Sequence, residues 1–306
     1  MKLKSAEIER IWQEQVKPEV FGDALISSSP VTVFLGAQPG AGKTQGGKIA
    51  DRLHADRSLV HIVGDDYRQY HPDYKYLVTH DPLRMPAVTG HASGEWIRMC
   101  VEYAHKHSYS ILIEGTWRNP STVLDAAKAA KAVGRATHAI ALAVPPPLSQ
   151  LGLLDRFYRD QSRGLPARWT PPAAHQTVIE RLPNTVGAIA GSDLIDRMSI
   201  TDRSGRLLCD DKTRALEVFE TEFNRSLNAG ERELIGERIR FIADCHARFT
   251  PSSREAGELI TSLYEQVEKR APERSINDVL TERVTQKRGQ IKDQAPRIHR
   301  KVSKSR

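Results

Sequence analysis

The sequence predicts an α/β fold, a parallel sheet with helices on both faces, followed by a helical C-terminal extension. Three observations carry this. Val31 to Leu35 is an unbroken apolar run of strand length; it breaks into a glycine-rich turn, and Thr44 to His54 then shows helical spacing. Three further short apolar runs, Leu59 to Val63, Ile111 to Ile113 and Ala139 to Val144, alternate with helical stretches, the pattern of strands joined by crossover helices. Beyond Asp210 the strands stop and helical patterns alone follow. A chain of 306 residues has ample length for a real core. The change of pattern divides it into a sheet domain, 1–210, and a helical extension, 211–306.

Taken in order, residues 5 to 17 form an amphipathic helix with Ile8, Ile11, Trp12 and Val16 at near-helical spacing, before a Ser- and Pro-rich loop, Ser27 to Pro30. After the second apolar run, helices are expected at about 92 to 107 and 120 to 133. A third, 148 to 162, follows the breaker Pro145-Pro146-Pro147. In the extension, Ala215 to Leu227, Glu231 to Arg248 and Arg254 to Lys269 read as helices, broken at Asn228-Ala229-Gly230 and Thr250-Pro251-Ser252. Leu234, Ile235, Ile239, Ile242 and Ala243 form one apolar stripe, which has to be buried on the body or on a partner.

Composition excludes several classes. The net charge of +7 is concentrated at the end: residues 281 to 306 hold nine Lys/Arg against Glu282 and Asp293, so the first 280 residues are neutral overall. A basic nucleic-acid-binding body is excluded, and the tail, which has no aromatic residue for base stacking, supports only nonspecific contact with a polyanion. The N-terminus lacks the apolar core of a signal peptide, and no stretch approaches the ~18 apolar residues of a spanning helix. Cys100, Cys209 and Cys245 are scattered and lack metal spacing. Reduced, buried thiols in a cytoplasmic protein are the expectation.

The chemistry is concentrated in VTVFLGAQPGAGKT, residues 31 to 44. A strand, a loop of small residues and a helix start make a cradle whose backbone N–H groups and helix dipole face an anion. The spacing is that of the phosphate loop G-x-x-x-x-G-K-[ST], with Ala37 in place of the first glycine. Ala37 is compatible with the pattern if it keeps negative φ. The candidate cradle is Gln38, Pro39, Gly40, Ala41 and Gly42 with Lys43, Thr44 and Gln45. Lys43 would meet the β- and γ-phosphates of ATP, and Thr44 would hold Mg²⁺. The fold class is thus the P-loop NTPase-like parallel sheet, in which ligands sit beyond the carboxyl ends of the strands.

Those strand ends carry the remaining candidates. After Val63 come Gly64, Asp65, Asp66, Tyr67 and Arg68, then His71-Pro72-Asp73-Tyr74; after Ile113 come Glu114, Gly115, Thr116, Trp117 and Arg118. A carboxylate there can accept a proton from a hydroxyl attacking the γ-phosphate, or help to hold Mg²⁺. On an extended backbone two adjacent carboxylates cannot both face one site, so either Asp65 or Asp66 is structural. Arg156, Arg159, Arg163 and Arg168 cluster around a helix end and the loop Gly164 to Pro172, where they can neutralise charge on a transferring phosphoryl group.

AQPGAGKT, DDYRQYHPDY, ILIEGTWR and LLDRFYRD followed by ARWTP, in this order and spacing, resemble the zeta toxin family of bacterial toxin–antitoxin systems. The resemblance covers about residues 5 to 210. It implies a toxin that is a kinase, phosphorylating a hydroxyl of UDP-N-acetylglucosamine or a related UDP-sugar with ATP and so depleting cell-wall precursors. It also implies a small helical antitoxin of the epsilon type as partner, and no membrane. The family's aspartate, three residues before the Arg of its D-x-[FY]-R-x-x-HP stretch, matches Asp65, which becomes the general base. Arg156 and Arg168 match arginines that bind ATP phosphates, and Thr116 matches the threonine that contacts the sugar nucleotide. Glu114, Arg118 and Arg68 flank these motifs and complete the acceptor side. An acidic residue that the family places on the preceding helix falls at Arg98, and Glu95, one turn away, is its replacement. The exposed face of the N-terminal helix, with Ile8, Ile11 and Trp12, is a candidate antitoxin contact. The same residues also suit a P-loop kinase acting on a nucleotide cofactor or a polynucleotide end, or a noncatalytic module that binds ATP.

Overall fold

The computed structural model describes residues 3–81, 84–165 and 167–268. The chain divides into two compact units, the first ending at Arg232 and the second starting at Glu233. In the first unit, α1 (Ser5–Ile11) runs through a π-helical turn, Trp12–Val16, into α2 (Lys17–Phe21). Then come β1 (Val31–Gly36), α3 (Lys43–Leu53), β2 (Leu59–Ile62), a 3₁₀ turn over Asp66–Tyr70, α4 (Tyr74–His80), α5 (Met85–Lys106), β3 (Ser110–Gly115), α6 (Pro120–Ala132), β4 (Ala136–Leu142), α7 (Pro146–Ser162), α8 (Pro172–Ala190), β5 (Arg197–Thr201), β6 (Leu207–Cys209) and α9 (Ala215–Asn224). Helix α10 (Ala229–Phe249) crosses the boundary and α11 (Arg254–Glu268) lies in the second unit.

The sheet order is β2-β3-β1-β4-β5-β6. Strands β1 to β5 are parallel, whereas β6 is antiparallel to β5, so the expected all-parallel sheet is mixed at one edge. Register partners share a face, and Phe34, Ile113 and Ala139 lie in line across three strands. That face is covered by α6, α8 and α9 over β1, β4 and β5, where Phe34, Ala139, Ala141, Met198 and Ile200 meet Val178, Leu182, Val186 and Phe219. Beside them, α1, α2 and α5 cover β2 and β3 through Ile8, Ile11, Trp12, Val16 and Trp96. On the opposite face, α3 lies so close that a Cβ on Gly46 would stand 2.9 Å from Leu35 and 2.7 Å from Leu142.

Two expectations are corrected here. Ile8, Ile11 and Trp12 are not an exposed docking face: they are 5%, 1% and 4% exposed, and the Trp96 Nε1–H donates to the Ile8 carbonyl (3.1 Å). In the extension, Ile235, Ile239, Ile242 and Ala243 are buried as the stripe requires, but Leu234 is 45% exposed. The basic tail lies outside the described residues. Cys100, Cys209 and Cys245 are buried and form no disulfide. Among the described residues no helix is long and apolar enough to cross a membrane.

Under α3 runs a chain of polar groups, buried at His54, His138 and Ser199 and reaching the surface at Asp210, that no motif announces. His54 Nε2 lies 2.8 Å from His138 Nδ1, His138 Nε2 lies 2.8 Å from Ser199 Oγ, and Ser199 Oγ donates to Asp210 Oδ1 (2.7 Å). Burial pushes both imidazoles down, His138 to about 3. Because the folded pKa of His138 lies below the ordinary 6.5, protons bind the unfolded chain first; stability is complete above pH ~6.5 and is lost as pH falls toward ~3. Between about pH 7.5 and about pH 5, His138 alone is expected to cost about 2 kcal/mol of unfolding free energy. Denaturant titrations across that range check it, since a His138→Asn variant should lack this part of the pH slope whatever its stability at neutral pH.

Candidate active site

The phosphate loop grows out of β1 at the point where the sheet order reverses, with β3 on one side and β4 on the other, the usual ligand position in such sheets. Gly40 and Gly42 take φ of +80° and +96°, a region that side chains avoid, and a Cβ on Gly40 would stand 2.1 Å from the Ser149 carbonyl oxygen of α7. Ala37 keeps negative φ and is fully buried, so the departure from the glycine pattern needs no strain. Gln38 is buried and turned away from the loop's concave side: its Nε2 donates to the Val144 carbonyl (2.6 Å) and to Ser149 Oγ (3.4 Å), bracing the loop against the end of β4 and α7. No side chain caps the N-terminus of α3, whose N-cap is Gly42. The first-turn N–H groups of that helix are therefore available to an anion.

Beside the loop opens a cavity of about 720 Å³, lined by Gly40, Gly42, Lys43, Thr44, Asp65, Asp66, Glu114, Arg156 and Arg168 among others. Five elements or their flanks contribute: α3 supplies Lys43 and Thr44, the turn after β2 the two aspartates, β3 Glu114, α7 Arg156, and the loop after α7 Arg168. Lys43 Nζ lies 3.7 Å from Glu114 Oε1. Burial pulls the Lys43 ammonium below its usual range, against the pull of Glu114 and Asp65. Burial likewise raises Glu114, with Lys43 opposing and the charges of Asp65 and Asp66 reinforcing.

Asp65 is bracketed by two guanidiniums. Arg68 Nε donates to its Oδ1 (3.0 Å) and Arg168 Nη1 reaches its Oδ2 at 2.9 Å. Partial desolvation at the cavity wall works against the charge of this exposed carboxylate, but Arg168, Arg68 and Lys43 together hold Asp65 below the usual carboxylate range. Asp66 is shifted the other way, raised by burial with Arg168 opposing. Both aspartates line the cavity, against the expectation that only one would face it. The reason is local: Asp65 has φ −67° and ψ −30°, and a 3₁₀ turn starts at Asp66, so the backbone is wound rather than extended and both carboxylates stay on one side.

The structure brings together Lys43, Thr44, Asp65, Glu114, Arg156 and Arg168. It leaves out of the cavity lining Gln38, Pro39, Ala41 and Gln45 of the cradle, and Thr116, Arg118, Glu95 and Arg68 of the acceptor side. Arg118 is exposed and Thr116 half-buried, while the Glu95 carboxylate pairs with Arg98 (3.0 Å) on the surface of α5. Arg68 is committed elsewhere, since its Nη1 donates to the Pro86 carbonyl (3.0 Å) and to Thr89 Oγ1 (2.9 Å). Sequence reasoning missed Arg203, a half-buried lining residue whose guanidinium bonds the Leu148 carbonyl. It comes from the turn after β5 and reaches the cavity only through the sheet order.

The model of the zeta toxin family matches residues 22–214. The chain belongs to the zeta toxin family. Toxin zeta of Streptococcus pyogenes is 28% identical over 247 residues, 77% of this chain and 84% of the relative. Toxin PezT of Streptococcus pneumoniae serotype 4 is 27% identical over 219 residues, 69% of this chain and 86% of that toxin. A solved structure from the PezAT toxin–antitoxin system of Streptococcus pneumoniae superposes with a TM-score of 0.69 at 21% identity, covering 80% of this chain and 97% of that one. The likeness to that structure is one of fold, over four-fifths of this chain. The four sequence blocks noted above all fall within the matched span.

Proposed function

We propose that this chain is the toxin of a toxin–antitoxin pair and a cytoplasmic kinase that transfers the γ-phosphoryl group of ATP to a hydroxyl of UDP-N-acetylglucosamine or a related UDP-sugar. The observation that carries the reading is the meeting of Lys43, Thr44, Asp65, Arg156 and Arg168 around one cavity at the reversal of the sheet. The residues suit a triphosphate: two glycines in left-handed conformation, an uncapped helix start and three cations. Mg²⁺ would be held by the Thr44 hydroxyl and would supply charge neutralisation on the triphosphate. Lys43 and the arginines neutralise the transferring group, and Asp65 takes the proton of the acceptor hydroxyl. The acceptor oxygen forms its bond to phosphorus as the bond to the β-phosphate oxygen breaks, and the electron pair leaves with ADP.

Thr116 and Arg118 follow β3 directly after Glu114 and are the proposed contacts to the sugar nucleotide. Glu95 joins them once released from Arg98. The proposed partner is a small helical antitoxin, for which the PezAT relative is the support; it does not dock on Ile8, Ile11 or Trp12, which lie in the core. The test is incubation of the purified full chain with ATP, Mg²⁺ and a panel of UDP-sugars, nucleotides and oligonucleotides, with products read by mass. One added phosphoryl group on a UDP-sugar supports the reading. Phosphorylation of a nucleotide or an oligonucleotide end alone overturns the substrate assignment, and no product on any acceptor overturns the kinase.

A further inference from the structure

Lining the cavity are seven basic side chains, Lys43, Lys48, Arg156, Arg159, Arg163, Arg168 and Arg203, and six acidic ones, Asp51, Asp65, Asp66, Glu114, Asp155 and Asp160. The substrate-free site is therefore close to self-neutralised, and three of its cations already have carboxylate partners: Lys43 with Glu114, Arg159 with Asp155, and Arg168 with Asp65. A triphosphate cannot engage these cations without loosening bonds that exist. Which bonds loosen decides what binding does to the base.

Resting on the kinase reading, we propose that Arg168 is a shared cation: in the free protein it holds Asp65 out of action, and on nucleotide binding it passes to the triphosphate, so that arrival of ATP releases the base. Both oxygens of Asp65 are occupied, Oδ1 by Arg68 and Oδ2 by Arg168. A carboxylate gripped on both sides by permanent cations is a poor acceptor for a hydroxyl proton. The two grips differ. Arg68 is fastened behind by the Pro86 carbonyl and by Thr89, itself buried and bonded to the Met85 carbonyl (2.8 Å), so it stays and orients the carboxylate. Arg168 stands in the loop between α7 and α8, is 36% exposed, and lines the same cavity as the phosphate loop. Trp169, packed edge-on against Phe157 with ring centroids 5.0 Å apart, anchors that loop on α7 one residue away. A pivot there lets the guanidinium exchange a single carboxylate for a multiply charged phosphate, which it favours by charge and by its forked geometry. The exchange leaves Oδ2 of Asp65 open on the side where the acceptor hydroxyl has to lose its proton, while Arg68 still holds Oδ1.

If Asp65 and the nucleotide compete for Arg168, removing the Asp65 charge strengthens nucleotide binding only while Arg168 is present. Binding of adenylyl imidodiphosphate with Mg²⁺ is measured by calorimetry for the full chain as wild type, Asp65→Asn, Arg168→Gln and the double variant, a cycle that isolates the coupling of the two positions. The expected result is that Asp65→Asn tightens binding about tenfold in the wild-type background and less than twofold in the Arg168→Gln background. Equal tightening in both backgrounds would mean a general charge effect and overturns the exchange, as does no tightening in either, while leaving the kinase reading intact. Binding by none of the four proteins removes the kinase reading together with the exchange. Arg168→Lys, which keeps the charge but not the fork, is expected to show an intermediate coupling; full coupling there would assign the effect to charge alone and overturn the part played by guanidinium geometry.

Discussion

Replacing Lys43 by alanine is expected to cut ATP turnover by about 10²-fold or more while leaving the chain folded. Lys43 opens α3, where alanine is the better helix former. What is lost is one cation in a partly desolvated site, where a charge acts on phosphate more strongly than in water. The loss is compounded by what remains. Glu114, already raised by burial, would have no ammonium at 3.7 Å and would face the triphosphate without that partner. Turnover measured beside a thermal melt checks both halves, and unchanged turnover would remove Lys43 from the site.

Asp65→Asn is expected to lower phosphoryl transfer by ~10²-fold or more with the nucleotide still bound, because the amide keeps size and polarity but accepts no proton. The neighbouring Asp66→Asn should be milder. Both carboxylates line the cavity, so position alone does not separate them; their environments do. Arg68, itself fastened to the Pro86 carbonyl and to Thr89, orients the Asp65 carboxylate in the cavity, and Arg168 couples it to the nucleotide side. Single-turnover rates for the two variants rank them, and the reverse order of severity would assign the base to Asp66.

The parallel core of the fold and the centre of the site were legible because their signals are local. Val31 to Gly36, the left-handed glycines and Lys43–Thr44 form one continuous segment; the apolar runs at Ile111 and Ala139 are strands that their neighbours bury on both faces, and that at Leu59 is an edge strand buried on one. Helix α8 was not, because Pro171 and Pro172 at its start and Pro183 inside it read as breaks, although a proline in the first turn costs a helix no hydrogen bond. Strands β5 and β6 are short, and β5 opens on Arg197, whose charge belongs to an ion pair with Asp210 across the hairpin. The extended-backbone argument for Asp65 and Asp66 failed at a turn that only tertiary packing sets. Arg203 was beyond reach for a related reason: its place in the cavity depends on which strand lies next to which. The compact unit also runs past Asp210, since α9 joins the core through Ala215, Phe219 and Phe223.

Gly36 and Trp117 have a consequence beyond packing. A Cβ on Gly36 would stand 1.9 Å from the indole, and Trp117 itself sits at φ +52° with 4% exposure, wedged where the ends of β1 and β3 run side by side. The ring is thus a mechanical link between the loop that leads to Lys43 and the loop that leads from Glu114 to Arg118. Displacement of either loop moves the indole or its surroundings, and that makes the residue a built-in optical gauge. Of the four tryptophans, Trp12 and Trp96 belong to the core on the side of α1 and α5, and Trp169 lies on the loop that carries Arg168. With those three replaced by phenylalanine, the emission that remains reports the joint between the phosphate loop and the acceptor side without any added label.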